Sequence, residues 1–486
     1  MICGMKKRIL KTLSEKGILA EPEAIDALAD SPDANKCVEA ILRNPGDRPL
    51  VLTRADVERY MQCAPVDNGI PAKDSEIERE TREPSDNSRE IKILKDITGD
   101  STCVGNIIDF VKLFNDRFTS IKRILARRRE LSGLMNIARA TKVERDVKFV
   151  AMVNDSRMTK NGHTMLEVED EEDKIQVLIM KGSRRGLDSF VKDEVIGIVG
   201  SMSKDREMVI AKDIIRPDVP INSRMSTNGS RSVVAFVSDI HVGSTEFLQD
   251  AWMRFMKWLK EDPSAENIRY IVMPGDLVDG IGIYPGQEDE LLIEDVYEQY
   301  TELARLVSMI PQRIRIVMMP GNHDAVRLAE PQPALPRQVT SMFDTRVVFA
   351  GNPCYLDIEG RIILAYHGRS MDDFVGTIHS LSHQRPEEIM KEMLKRRHLA
   401  PLYGGLTALA PEQKDYLVID TVPNVFVTGH VHTCSSSEYR GIRLINASAW
   451  QAQTGFQRMH NQIPDPAKVP MMNLGTGETW IEDFSE

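Results

Sequence analysis

No two of the six cysteines in this 486-residue sequence (Cys3, Cys37, Cys63, Cys103, Cys354 and Cys434) stand two to four positions apart. That excludes a zinc knuckle or redox pair built from neighbouring thiols. No apolar run approaches the roughly 18 residues of a membrane-spanning helix. Lys6, Lys7 and Arg8 are not followed by the unbroken apolar block of a secretory signal, so the expectation is a cytoplasmic protein with no membrane contact. A basic surplus is also missing: 62 Lys+Arg against 73 Asp+Glu give a net charge of −11, and nucleic acid could be met only by a local patch. What remains is ordinary for a globular chain, with 42% hydrophobic and 28% charged residues. A core can form, and the length fits roughly three domains of about 150 residues each.

The chain divides by pattern into an α/β multidomain protein. Residues 1–61 alternate helix-period apolar runs with breakers, as in Ile9, Leu10 and Leu13, and Thr53 suits the N-cap of a short helix over 54–61. This predicts an N-terminal helical module. Residues 62–95 turn to Pro, Asp, Glu, Ser and Asn with little apolar period, the composition of a flexible linker. Within 96–141, a segment of connecting helices, Phe110, Phe114, Phe118, Ile121 and Leu125 recur at helical spacing among Arg117, Lys122, Arg123, Arg127, Arg128 and Arg129. A solvated basic face on a packed helix is the preferred reading over a nucleic-acid helix. Five alternating strands in 142–217 predict a small OB-like β-barrel, with another five-stranded barrel or sandwich as the alternative. After a polar connector at 218–231, residues 232–486 alternate short buried-strand runs with helical segments, an α/β layer pattern.

Polar motifs follow those strand runs at once. In order they are Asp239-Ile240-His241, Gly275-Asp276, Gly321-Asn322-His323-Asp324, His367-Gly368 and Gly429-His430-Val431-His432. Each alone is ordinary turn or cap chemistry. Together they put Asp, His and Asn side chains at carboxyl ends of strands, where α/β sheets bind ligands. Imidazole, carboxylate and amide oxygen suit borderline-soft divalent ions, and two such ions side by side require a bridging carboxylate, for which Asp276 is the candidate. Such a pair clamps a phosphate oxygen and acidifies a water between the ions, which is the chemistry of phosphoester hydrolysis.

The five motifs resemble those of the calcineurin-like metallophosphoesterases, whose fold is a two-sheet β-sandwich flanked by helices. The resemblance covers residues 232 to about 445. It implies that Asp239, His241 and His432 hold one metal ion and Asn322, His367 and His430 a second, with Asp276 shared. It also implies that His323, backed by Asp324, protonates the leaving oxygen or stabilises its charge. Asp276-Leu277-Val278-Asp279-Gly280 lacks the Arg of the protein-phosphatase branch, which favours the nuclease branch.

The barrel, the Phe110 to Arg129 helix, the run Arg397-His398-Leu399-Ala400-Pro401-Leu402-Tyr403-Gly404 and the stretch from Ser448 to Gln457 extend the resemblance. They are similar to the small subunits of archaeal family-D DNA polymerases. What this implies is a 3′-to-5′ proofreading exonuclease using two divalent ions, manganese by family, and acting on single-stranded 3′ ends and primer-template DNA. It further implies assembly with a large catalytic subunit, for which the barrel and the segment around Trp450 and Phe456 are the expected contact, with core packing as the alternative for both aromatics. The related B-subunits of eukaryotic polymerases have mostly lost the metal ligands, whereas this sequence keeps each one. Two other readings compete: a stand-alone metallophosphoesterase, and a non-catalytic assembly subunit. His379 and His383, one helical turn apart without the Glu of a metalloprotease, are read as surface or interface residues. Lys181 to Gly186 is read as a barrel turn, because the Gly-Lys-Ser/Thr of a phosphate loop is missing.

Overall fold

The computed structural model describes residues 90–486 apart from 144–145, 183–188, 222–226 and 460, and before residue 90 only 19–20, 24–25, 28, 51–52 and 57. Two compact units are present, Met1–Ser85 and Asp86–Glu486. In the first, β1 (Leu19–Ala20) pairs in parallel with β2 (Val51–Leu52), and Ala24, Ile25, Leu28 and Val57 are buried in helical segments. The strand pair corrects the all-helical expectation; two-residue strands are too short to show a period of two. The rest of the expected helical module, and the expected linker as far as residue 89, lie outside the described residues.

The second unit corrects the end of that linker. Ile91–Lys95 is β3, an edge strand paired antiparallel with β13 (Cys354–Ile358). Only Ile91 of β3 is buried, while Lys92, Ile93 and Leu94 are exposed, so the strand reads as linker by composition. A helix over Ile107–Leu125 follows, opened by a reciprocal capping box between Asn106 and Asp109. Leu113, Phe118, Ile121 and Leu125 form its buried stripe. Arg117 departs from the expected solvated face. It is 1% exposed and pairs with Asp415 at 2.8 Å while donating to the Pro401 carbonyl, so it fastens the helix to the later domain and is closed to nucleic acid.

Five strands then close a barrel: β4 (Asp146–Met158), β5 (Thr164–Glu169), β6 (Lys174–Ile179), β7 (Val195–Met202) and β8 (Met208–Ile215), in the order β4-β5-β6-β8-β7. Pairing is antiparallel except between β6 and β8. Alternate residues such as Val147, Phe149, Ala151 and Val153, or Ile175, Val177 and Ile179, fill the interior. Lys181 and Gly182 turn out of β6.

The remainder is built on two six-stranded sheets. The first runs β12 (Val347–Phe349), β11 (Arg315–Met319), β10 (Ile268–Pro274), β9 (Val233–Phe236), β18 (Lys468–Asn473), β19 (Thr479–Asp483). The second runs β16 (Ser435–Tyr439), β17 (Ile442–Asn446), β15 (Val425–Thr428), β14 (Arg361–Ala365), β13, β3. Period-two alternation sorts the side chains. Val234, Phe236, Val272 and Val317 meet Leu356, Ile363, Val425 and Ile445 between the sheets. Their neighbours Val233, Ala235, Ile271 and Met318 face outward onto the helices Gln249–Glu261 and Val296–Ser308. The second sheet packs its outer face on Met371–Thr377 and Pro386–Arg396. Trp450 is fully buried against Trp252 and Phe255, so it is core and no partner contact; Phe456 is 40% exposed, its ring 5.5 Å from Tyr284. Among the described residues, no helix is long and apolar enough to cross a membrane.

Candidate metal centre

The parallel strands β9, β10 and β11 of one sheet and β14 and β15 of the other deliver their carboxyl-terminal loops to one place. Asp239 and His241 follow β9, Asp276 follows β10, Asn322 and His323 follow β11, His367 follows β14, and His430 and His432 follow β15. Five of these residues have left-handed backbones: Asp239 (φ 51°), His241 (52°), Asp276 (48°), His430 (70°) and His432 (54°). For side chains with a Cβ that conformation costs on the order of 1 to 3 kcal/mol each and persists only where surroundings impose it. Here the loops brace one another. The amide of His241 donates to the Asp276 carbonyl at 3.2 Å, and that of His430 donates to the Asp239 carboxylate at 3.0 Å. Gly321 and Gly429 allow the closest approaches, since a Cβ at either would collide with the Asp276 or Asp239 carboxylate.

Among the described residues three acceptor groups form: Asp239 with His241 and His432, Asp276 with His367 and His430, and His241 with Asp279 and His323. The first two both approach Asp276. In the first, His432 Nε2 lies 3.4 Å from Asp239 Oδ1, and His241 Nε2 lies 3.9 Å from Asp276 Oδ2. In the second, His367 Nε2 lies 3.1 Å from Asn322 Oδ1 and 3.3 Å from Asp276 Oδ2, and His430 joins Asp276 and His367 within 4.8 Å. Adjacent ligands of a cation at about 2.1 Å, set at right angles, stand roughly 3 Å apart, so these spacings suit a divalent ion.

The electrostatics point the same way. Burial works against the Asp276 charge, but His367, His323 and His241 hold its carboxyl well below the usual range. Asp239 is likewise held down despite its burial, by His432 and His367. Burial and the neighbouring imidazoles lower His241, keeping it neutral. Burial also opposes a proton on His367, yet Asp276, Asp239 and the Pro274 carbonyl raise it to about 10. Two ionised buried carboxylates thus hold a positive charge between them, and a metal ion would compete with that proton.

The outer partners were not foreseen from the sequence. His241 Nδ1 faces Asp279 Oδ1 at 2.9 Å, His367 Nδ1 faces the Pro274 carbonyl at 2.9 Å, and His430 Nε2 faces Asp372 Oδ2 at 3.1 Å. Gln457 Nε2 lies 2.9 Å from His432 Nδ1. Such contacts fix ring orientation and tautomer. The one local signal was Asp279, three residues after Asp276. His379 and His383 lie between two helices, His379 exposed and His383 bonded to Asp372 at 2.9 Å, so the presumed shared helical turn does not exist.

Asp324 is a correction. Its carboxylate accepts from the amides of Gly321 (2.8 Å) and Leu277 (3.2 Å) and from the Tyr300 hydroxyl (2.9 Å). Burial, then repulsion from Asp276, pushes its pKa up to about 6. It organises the loop from inside, and the group orienting the His323 ring is the Asp279 carbonyl, 2.7 Å from Nδ1.

Residues 234–437, which contain all the strand-end motifs, match the family of DNA polymerase alpha/epsilon B-subunits. A DNA polymerase II small subunit of Methanothermobacter thermautotrophicus is 40% identical over 482 residues, covering 96% of this chain and 98% of that one. The chain belongs to the DNA polymerase II small-subunit family. Other DNA polymerase II small subunits agree: that of Archaeoglobus fulgidus is 43% identical over 82% of each chain. That of Halobacterium salinarum is 37% identical over 98% of this chain and 99% of its own.

Proposed function

We propose that this small-subunit chain carries a two-metal 3′-to-5′ proofreading exonuclease and assembles with a large catalytic polymerase subunit. The observation that carries the reading is the convergence of the strand-end side chains into one group of Asp239, His241 and His432 and another of Asp276, His367 and His430, with Asp276 Oδ2 3.9 Å from His241 Nε2 and 3.3 Å from His367 Nε2. Asp239, His241, Asp276 and His432 would hold one ion, and Asp276, Asn322, His367 and His430 the other. Manganese is the proposed metal, from the resemblance. The sandwich is read as calcineurin-like, and the strand order β4-β5-β6-β8-β7 supports an OB-like barrel. The domain scheme proposed is a module at 1–61, a linker reaching to about residue 90, connecting helices to 141, the barrel at 142–217 and the phosphoesterase at 232–486, with β3 added to the last.

When bound, the two ions supply positive charge against a scissile phosphate and lower the pKa of an attacking water. The remaining work falls to side chains. Asp276 and Asp239 stay ionised in a buried setting, and the Asn322 amide adds an uncharged oxygen. His323 is 14% exposed and donates Nδ1–H to the Asp279 carbonyl. That leaves Nε2 to carry a proton to the leaving 3′ oxygen of the DNA. A single-stranded 3′ end from a mispaired primer is the substrate that fits a proofreader. The intact acceptor set argues against a purely structural subunit, and the family argues against a free-standing phosphoesterase.

The test is digestion of mismatched primers labelled at the 3′ or the 5′ end, with manganese, with and without the large subunit. Release of labelled mononucleotide from the 3′ end is expected. Digestion from the 5′ end, or none in either assembly, would contradict the reading.

A further inference from the structure

A neutral imidazole has one N–H and one lone pair, so a metal-binding histidine needs an acceptor for its other nitrogen. His241 and His367 both satisfy this through Nδ1, on Asp279 and on the Pro274 carbonyl, which leaves Nε2 turned toward the cluster. His430 is the reverse: its Nε2 is taken by Asp372 Oδ2 at 3.1 Å. The other oxygen of that carboxylate, Oδ1, is held at 2.9 Å by Nε2 of His383, a side chain 25% exposed.

Asp372 lies on the helix Met371–Thr377, which starts just after His367-Gly368. One short segment therefore supplies one expected ligand of the second ion and, five residues on, grips another. With the two-ion reading as its basis, we infer that Asp372 is the positioning residue of His430: it fixes the Nε2–H tautomer, presents Nδ1 to the second ion, and is itself braced by His383. Asp239, His241 and His432 have no such dependence, so the two ion sites should differ in their sensitivity to Asp372.

The experiment is manganese titration of the full chain by calorimetry, with electron paramagnetic resonance to detect a spin-coupled ion pair. Losing an outer-sphere partner typically weakens a metal site about 10- to 100-fold. Asp372→Ala should weaken the second ion to that extent, abolish the coupled signal at limiting manganese and leave the first ion unchanged. Asp372→Asn, which keeps an acceptor oxygen in place, should restore affinity to within a few-fold. His383→Ala should weaken the second ion less than Asp372→Ala, and it carries the test if thermal melting shows Asp372→Ala to be unfolded. Two ions bound with wild-type affinity in Asp372→Ala or, failing that variant, in His383→Ala would overturn the inference while leaving the two-ion reading intact. An Asp372→Asn variant as weak as Asp372→Ala would overturn positioning as the cause. Wild-type protein that binds no second ion would overturn the reading and the inference together.

Discussion

His241 and His432, 191 positions apart in the chain, face each other with their Nε2 atoms 3.1 Å apart. Each ring is held from behind, His241 by Asp279 and His432 by Gln457. Two nitrogens so fixed, with Asp239 Oδ1 3.4 Å from one and 4.0 Å from the other, are spaced as ligands of the proposed first ion would be. Because Gln457 Nε2 donates to His432 Nδ1, the His432 proton sits on Nε2, and an ion there would displace it.

His323→Ala should separate ion binding from cleavage. His323 Nε2 lies 3.9 Å from Asp276 Oδ2, at the edge of the acceptor groups. A positioned acid contributes about 10² to 10⁴ in rate, and the variant should lose that much in single-turnover cleavage while its manganese content stays at the wild-type level. Metal content that falls in step with the rate would make His323 a ligand. Asp324→Ala should behave differently: three buried donors lose their acceptor, each at about 1 to 3 kcal/mol, so the melting temperature should drop first.

Truncation has a sharp predicted boundary. Removing residues 1–85 should leave melting and cleavage of the second unit near wild type. Removing residues 1–95 takes β3 from its ladder with β13 and Lys95 from Asp420, its partner at 3.0 Å. At about 1 kcal/mol per net hydrogen bond this costs several kcal/mol and several degrees of melting temperature. Equal melting of the two truncations would show β3 to be dispensable.

A pH dependence follows from His398. Its Nε2–H donates to Asp415 Oδ2 at 2.9 Å and its Nδ1 accepts from the Ala400 amide at 3.1 Å, so the ring is neutral. Burial, then the Arg117 charge, lowers its pKa from 6.5 to about 4. Below 6.5 the unfolded chain takes up a proton that the folded chain refuses. Stability from this group is therefore full above pH 6.5 and lost as pH falls toward 4, by about 3 kcal/mol at 1.36 kcal/mol per unit. Glu330, pushed up to about 7 by burial, acts oppositely in much of that window. The measurement is thus the stability difference between wild type and His398→Gln from pH 7 to 4. It should shift against the wild type on acidification, and a pH-independent difference would refute the assignment.

How far the sequence could be read depended on range. Each expected ligand follows an apolar strand run by a few residues, so Val233–Phe236 and Val425–Thr428 announced their motifs locally. The barrel strands were equally plain, because inward Val147, Phe149 and Ala151 alternate with other residues. Asp372 and Gln457 left no such trace: they reach His430 and His432 across 58 and 25 positions, and only folding makes them neighbours. Asp324 misled for the opposite reason. It adjoins His323 in the chain, but its side chain turns inward to Gly321, Leu277 and Tyr300. β3 was hidden because a short edge strand with one buried residue has the composition of a linker.

The most direct test of the central claim is Asp276→Asn, with bound manganese and 3′-end cleavage measured on the same preparation. Asp276 is the side chain proposed to serve both ions, its Oδ2 3.9 Å from His241 Nε2 and 3.3 Å from His367 Nε2. Without its charge, two mutually repelling ions lose their bridge, a loss of several kcal/mol and on the order of 10³ in rate. The account predicts two ions per wild-type chain, at most one per variant chain, and cleavage reduced to background. A folded Asp276→Asn variant that holds two ions and still cuts would contradict it.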